Sequence, residues 1–249
     1  MSKTIDQKID HVVDWLRDQV QVSGTNGILV GLSGGIDSSV VANLIKRAFP
    51  ENSLGVILPC KSHAKDKADG QAVAVAAGLE FVEVDLSSTH ETLLASIQNA
   101  VKDLDTTNHQ LTDANLRARL RMTTLYGIAN NMGYLVAGTD NAAELLTGYF
   151  TKYGDGGVDI LPLAHLTKRE VFEWAKHLGV PQSVIDRKPS AGLWEGQTDE
   201  DEMGVTYDAI DDYIEGKPVS QEDRTIIERM HARTEHKRVM PPAPPAFEA

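Results

Sequence analysis

Gly27-Ile28-Leu29-Val30-Gly31-Leu32-Ser33-Gly34-Gly35-Ile36-Asp37-Ser38-Ser39 reads as a strand, a glycine-rich turn and the start of a helix. Ile28, Leu29, Val30 and Leu32 form a short apolar run with enough branching for a buried parallel strand. Ser33-Gly34-Gly35 interrupts it with residues that bring backbone close to a ligand. Asp37, Ser38 and Ser39 suit a first helical turn, and Val40, Val41, Leu44 and Ile45 follow with helical spacing. A turn that ends in a helix N-terminus offers open N–H groups and a positive dipole end, which is a way of holding phosphate. No Lys follows Gly35, so this is not a Walker A loop, and the glycines have the wrong spacing for a dinucleotide fingerprint.

Working outward, residues 4–22 carry Ile5, Ile9, Val12, Val13, Leu16 and Val20 on one helical face. Strands are expected at Leu54–Leu58, Leu79–Val84 and Tyr134–Ala137, and helices at Lys65–Ala77, Glu91–Leu104 and Thr112–Asn131. Thr106-Thr107-Asn108 breaks the chain between the last two helices. This alternation predicts an α/β fold, a doubly wound parallel sheet with helices on both faces. Ligands in such sheets sit beyond the carboxyl ends of the strands, so the Ser33 loop and Gly138-Thr139-Asp140 are expected to be neighbours. Later, Tyr149–Ile160 and Asp186–Thr198 read as loops and Leu161-Pro162-Leu163 as a short strand. Thr167-Lys168-Arg169-Glu170 is a capping box for a helix running to Leu178. Asp199–Ile214 reads as one acidic helix, Gln221–Thr234 as the last helix, and 241–249 as a proline-rich tail. Without repeats or a long linker, 1–249 is expected to be a single domain.

The net charge of −12 argues against a broad nucleic-acid surface, though not against a small phosphorylated substrate in a local basic pocket. No run is long enough to span a bilayer, no signal peptide is apparent, and Cys60 is the only cysteine, so a cytoplasmic location is expected. With no base near it in sequence, Cys60 reads as a partly buried small residue, not a nucleophile. The scattered histidines form no metal spacing, and the acidic run from Asp199 to Glu202 reads as a solvated helix start. Arg117 and Arg121 lie on other helix faces from Arg119 and read as solvent-facing or structural.

Ser-Gly-Gly-x-Asp-Ser (Ser33–Ser38) resembles the pyrophosphate loop of the ATP pyrophosphatases, the PP-loop superfamily. Asn-x-x-Ala-Arg-x-Arg-Met (Asn115–Met122), Gly-Thr-Asp-x-Ala-Glu (Gly138–Glu144, with Asn141-Ala142 at its centre), Phe-Thr-Lys-Tyr-Gly-Asp-Gly-Gly (Phe150–Gly157) and Thr-Glu-His-Lys-Arg (Thr234–Arg238) follow in that order. Together they resemble the ammonia-dependent NAD synthetases. The resemblance implies an adenine nucleotide α-hydrolase-like, Rossmann-like fold, a homodimer and a ligase forming a C–N bond. It implies that deamido-NAD (nicotinate adenine dinucleotide), ATP and ammonia react with Mg²⁺ to give NAD, AMP and pyrophosphate.

Matched by position, Gly31, Leu32, Ser33, Gly34, Gly35, Ile36, Asp37 and Ser38 would hold ATP, together with Thr139, Lys168 and Ser190. Ser190 stands where the family usually has Thr and keeps the hydroxyl. Asp37 and Glu144 would be the metal ligands, carboxylates of the kind Mg²⁺ takes beside phosphate oxygens. Arg119, Lys152, Asp159, His236 and Lys237 match deamido-NAD contacts. Asp37, Glu144, Lys168 and Asp155 are the catalytic candidates, with Asp155 or Asp159 accepting a proton from the incoming amine. Asn141 replaces a common His, which is expected to alter a local hydrogen bond. Residues 60–68 match weakly, and no adenine contact is assigned there. The alternatives are a GMP-synthetase-like amide ligase of the same superfamily, a tRNA-thiolating relative, and a non-catalytic nucleotide-binding module. Phe150–Gly157 argues against the first, the single cysteine and acidic charge against the second, and retention of Asp37 and Glu144 against the third.

Overall fold

The computed structural model describes residues 3–101, 109–190 and 198–247. The expected end of the fourth helix after residue 101, the 106–108 break and most of the 186–198 loop lie outside the described residues. The elements run α1 (Ile5–Ser23), β1 (Gly27–Gly31), α2 (Ile36–Ala48), β2 (Ser53–Ile57), α3 (Ala64–Ala77), β3 (Phe81–Glu83), α4 (Ser87–Ala100), α5 (His109–Met132) and β4 (Tyr134–Ala137). After them come α6 (Ala142–Thr147), α7 (Lys168–Leu178), α8 (Gln182–Ile185), α9 (Asp199–Met203), α10 (Tyr207–Ile214), α11 (Gln221–Arg233) and a 3-10 turn at Glu235–Lys237.

The four strands among the described residues are parallel, in the order β3-β2-β1-β4. The chain leaves β1 toward one edge and returns on the other side as β4, with Val30 beside Ala137. The order therefore reverses between β1 and β4, so a crevice opens beyond their carboxyl ends. This brings the Ser33 loop and Gly138-Thr139-Asp140 together, as expected from the sequence.

Side chains alternate across the sheet. Ile28, Val30, Ile57 and Ala137 face a core with α1, α2 and α7, which includes Leu16, Leu44, Leu163 and the fully buried Trp174. Leu29, Val56 and Val136 face the opposite layer with Leu120, Leu125 and Tyr126 of α5 and the buried Cys60. Burial on both faces explains the uninterrupted apolar run of β1. A third cluster joins α6, α9, α10 and α11 through Ala143, Met203, Tyr207, Ile210 and Ile227.

Several sequence expectations change. Asp199–Ile214 is two helices, because Gly204 takes φ +73° and closes α9. At 161–163 no strand is assigned; an isolated bridge joins Ala137 to Ile160, and Pro162 has no N–H to extend a ladder. The expected strand at 79–84 shrinks to three exposed residues at the sheet edge. Arg117 is buried and pairs with Asp113 at 2.8 Å. For Arg117 and Arg121 the structural one of the two readings holds: Arg121 likewise donates to Leu58 O at 3.1 Å and Ser62 Oγ at 3.0 Å.

Candidate active site

The loop after β1 is held open by its own hydroxyls. Ser38 Oγ and Ser39 Oγ donate to Gly35 O, at 3.0 and 2.7 Å, and Gly35 N–H donates to Ser33 Oγ at 3.2 Å. Gly35, at the N-cap of α2, supplies no side-chain cap, so the first N–H groups of the helix remain available to an anion. Gly34 has φ +79°, and a Cβ there would lie 2.6 Å from Asp66 O, so α3 packs directly onto the turn. Gly31, Leu32, Ser33, Gly35, Ile36, Asp37, Ser38, Thr139, Lys168 and Ser190 all line one cavity of about 710 Å³, at the upper part of the size range for small-molecule sites.

At the centre of the cavity, Lys168 Nζ lies 2.6 Å from Asp37 Oδ2 and 3.2 Å from Glu144 Oε1. The capping box on Thr167 starts α7 at Lys168, whose own N–H is taken by Asp211 Oδ1 at 3.0 Å. Asn141 binds the far oxygens of both carboxylates. Its Nδ2 donates to Asp37 Oδ1 at 2.9 Å and its backbone N–H to Glu144 Oε2 at 3.1 Å, while its Oδ1 caps α6. The Tyr207 ring lies 4.7 Å from Lys168 Nζ, and its hydroxyl is 2.9 Å from Asp199 Oδ2 and 3.2 Å from Glu144 Oε1. Asp199, expected on a solvated helix start, is buried here.

Burial sets the protonation of this group. It pushes Glu144 up to about 7 against the pull of Lys168, with Asp37 adding to the rise. It works against the charge of Lys168 too, but Asp37 and Glu144 outweigh it and hold the ammonium above its ordinary value. Asp140 is 5 % exposed, and its Oδ2 has no hydrogen-bond partner among the described residues. Desolvation first, then the charges of Asp155, Glu144 and Asp37, hold it well above the usual carboxylate range. Asp37 and Glu144 fit a hard divalent cation, presenting carboxylate oxygens toward one cationic centre. Among the described residues no three His, Cys, Asp or Glu side chains form a metal cluster by themselves, so an ion here would need phosphate oxygens or water as well.

The opposite wall is assembled from three segments. Arg119 of α5 donates through Nε and Nη2 to Lys152 O, at 3.3 and 3.2 Å, and Lys152 Nζ donates to His236 O. Lys237 Nζ donates to Gly148 O at 2.7 Å and Phe150 O at 2.6 Å, and burial lowers its pKa. Asp155, solvent-exposed on the cavity wall, accepts the Thr151 N–H at 3.0 Å, and desolvation by its surroundings raises its pKa. Arg119, Lys152, Asp155, His236 and Lys237 all line the cavity.

Asp159 is not among the residues that line the cavity. Its oxygens accept the Tyr126 hydroxyl at 2.9 Å and the Val136 N–H at 2.8 Å, which ties the loop to β4. Conversely, Ser62, His63, Asp66, Tyr207 and Asp199 were not singled out for the site. The first three line the cavity through the 60–68 segment, which carried no assignment; Asp199 also lines it, and Tyr207 backs Lys168. A helix from Lys65 was readable in sequence and begins one residue earlier, at Ala64, but its position above the Ser33 loop was not readable.

A family model described as NAD synthase matches residues 8–241. An NH(3)-dependent NAD(+) synthetase of Alkaliphilus metalliredigens is 64% identical over 243 residues, covering 96% of this chain and 98% of the relative. Among solved structures, an NMN synthetase from Francisella tularensis superposes with TM-score 0.91 at 40% identity, covering 98% of this chain and 99% of that one. An NH3-dependent NAD synthetase from Campylobacter jejuni, solved with nitrate, gives 0.79 at 26% identity, covering 98% and 100%.

Proposed function

The chain belongs to the NAD synthase family, and from that premise we propose that it amidates deamido-NAD with ammonia while ATP is split to AMP and pyrophosphate. The observation that carries this reading is the junction of Asp37, Glu144 and Lys168, where the phosphate loop and the end of β4 converge.

A carboxylate acylates poorly because its leaving group would be oxide. Its oxygen instead attacks the α-phosphorus of ATP, the bond to the bridging oxygen breaks, and pyrophosphate leaves behind an acyl-adenylate. Charge accumulates on the departing pyrophosphate, where the N–H groups of the first turn of α2, together with Lys168, are available to meet it. Asp37 and Glu144 would hold Mg²⁺, which when bound neutralises phosphate charge. Arg119, Lys152, His236 and Lys237 form the wall that would place the nicotinate half. Ammonia attacks the activated carbonyl, AMP leaves, and Asp155 would take the amine proton. Asp159, with both oxygens engaged, is the weaker candidate for that role and for substrate contact.

By the same resemblance the protein works as a homodimer in the cytoplasm. Exposed apolar side chains at the sheet edge and on α4 and α5, Phe81, Val82, Leu93 and Leu111, support a subunit contact there. No described helix is long and apolar enough to cross a membrane. Light scattering of the purified protein tests the dimer; a monomeric mass counts against it.

Pyrophosphate release with deamido-NAD, ammonia and ATP tests the main reading, with xanthosine monophosphate as the competing acceptor. No release with deamido-NAD overturns it. The likeness to the Francisella protein favours one second reading, amidation of nicotinate mononucleotide. Both substrates carry the same pyridine carboxylate, so the ratio of kcat/KM for the two, measured side by side, decides between them.

A further inference from the structure

We propose that in the nucleotide-free protein the Lys168 ammonium occupies the place between Asp37 and Glu144 that a divalent cation takes, so that metal enters with the triphosphate and not before it. The inference rests on the metal role given above to those two carboxylates. Each of them has one oxygen engaged by Asn141: Asp37 Oδ1 by Nδ2 at 2.9 Å, and Glu144 Oε2 by the backbone N–H at 3.1 Å. The remaining oxygens, Asp37 Oδ2 and Glu144 Oε1, are the two that Lys168 Nζ contacts, at 2.6 and 3.2 Å. Asp37 and Glu144 would hold a divalent cation most readily through the oxygens not committed to Asn141, and charge repulsion sets an ammonium against a divalent ion at the same oxygens.

Lys168 cannot simply retreat. Its side chain is 3 % exposed, the Tyr207 ring covers Nζ, and its backbone N–H is fixed to Asp211. Leaving the carboxylates without a new anion would bury an unpaired ammonium. A triphosphate on the Ser33 loop supplies that anion inside the same cavity. The lysine then moves from carboxylate to phosphate as the metal arrives, so that neither the ammonium nor the carboxylates are left without a counter-charge. Only the side chain has to turn, because the start of α7 is held by its cap.

Manganese(II) binding, read by electron paramagnetic resonance of the free ion, tests this without turnover. Lys168→Met is expected to bind Mn²⁺ alone at least tenfold more tightly than wild type. Lys67→Met neutralises a lysine that also lines the cavity but pairs with Glu83, and should change the affinity less than threefold. With a non-hydrolysable ATP analogue, wild type should bind Mn²⁺ tightly and the advantage of Lys168→Met should disappear. If Lys168→Met binds Mn²⁺ alone no better than wild type while wild type binds it with the analogue, the lysine inference falls and the metal site stands. If wild type takes no Mn²⁺ even with the analogue, both fall. Should the variant fail to fold, anomalous diffraction from wild-type crystals soaked in Mn²⁺ alone decides. Lys168 still between the carboxylates with no peak there supports the inference, and a peak between them overturns it.

Discussion

Replacing Gly148 with alanine should loosen the C-terminal wall of the site by an amount that a second glycine calibrates. Gly148 ends α6 at φ +66°, and a Cβ there would lie 2.3 Å from both Cβ and Oγ1 of Thr234. Thr234 has little room to withdraw, since its Oγ1 donates to Met230 O at 2.7 Å and accepts from Arg238 at 2.8 Å. Gly179 ends α7 at φ +77° with nothing within 4 Å of the same position. Left-handed alanine costs ~1–2 kcal/mol at either place. A stiffer unfolded chain offsets about 0.4–1 kcal/mol of that. Gly179→Ala should therefore lose about 1 kcal/mol, and Gly148→Ala a further ~1–3 kcal/mol for forced packing. Thermal melts should separate the two by roughly 2–12 °C, at ~2–4 °C per kcal/mol for a chain of this size. Gly148 O also accepts Lys237 Nζ at 2.7 Å, so the KM for deamido-NAD should rise in Gly148→Ala alone, with that for ATP little changed. Equal melting temperatures for the two variants would refute the reasoning.

Tyr207→Phe keeps the ring over Lys168 but removes the hydroxyl shared by Asp199 and Glu144. Losing a hydrogen bond to a charged partner costs ~1.5–3 kcal/mol, so the KM for Mg-ATP should rise about 10–100-fold while that for deamido-NAD holds, in steady-state kinetics. Asp140→Asn concerns pH. A carboxyl whose folded pKa is raised contributes stability below its unfolded pKa, near 4, and loses it as pH rises through the higher folded value. The melting temperature of the variant should therefore gain on wild type as pH rises above the unfolded value, and a constant gap across the whole pH range would argue against the burial of this carboxylate. Chelation with EDTA should abolish pyrophosphate release, and added Mg²⁺ should restore it.

The centre of the fold was legible because its cues are local. The branched run before Ser33, the two glycines and the serines after them settled a strand, a turn and a helix, and the alternation downstream settled a parallel sheet. The adjacency of β1 and β4 followed from where such sheets reverse. What escaped depends on tertiary packing. Tyr207 meets Glu144 across 63 residues of chain, and no periodicity marks that encounter. For Arg121 a solvent-facing and a structural reading both stood, because its acceptors, Leu58 O and Ser62 Oγ, come from a segment 59 to 63 residues earlier. Asp159 stood at a matching position, yet Tyr126 and the Val136 N–H had already taken its oxygens. Gly204 was in plain view within the acidic stretch, and its left-handed backbone was the missed signal for two helices in place of one.

The strand order also bears on how the chain is made. As it leaves the ribosome, β1 pairs with β2 and α1 docks on α2 early, but the other edge of β1 waits for Tyr134–Ala137. At ~5–20 residues per second, that edge stays open for roughly 5–20 s of synthesis. An apolar strand with an unpaired edge is a template for pairing with another chain. A strand buried on both faces in the finished enzyme is thus a long-exposed liability during translation. Slowing synthesis between residues 31 and 134 should increase aggregation, whereas the same delay placed after residue 137 should not.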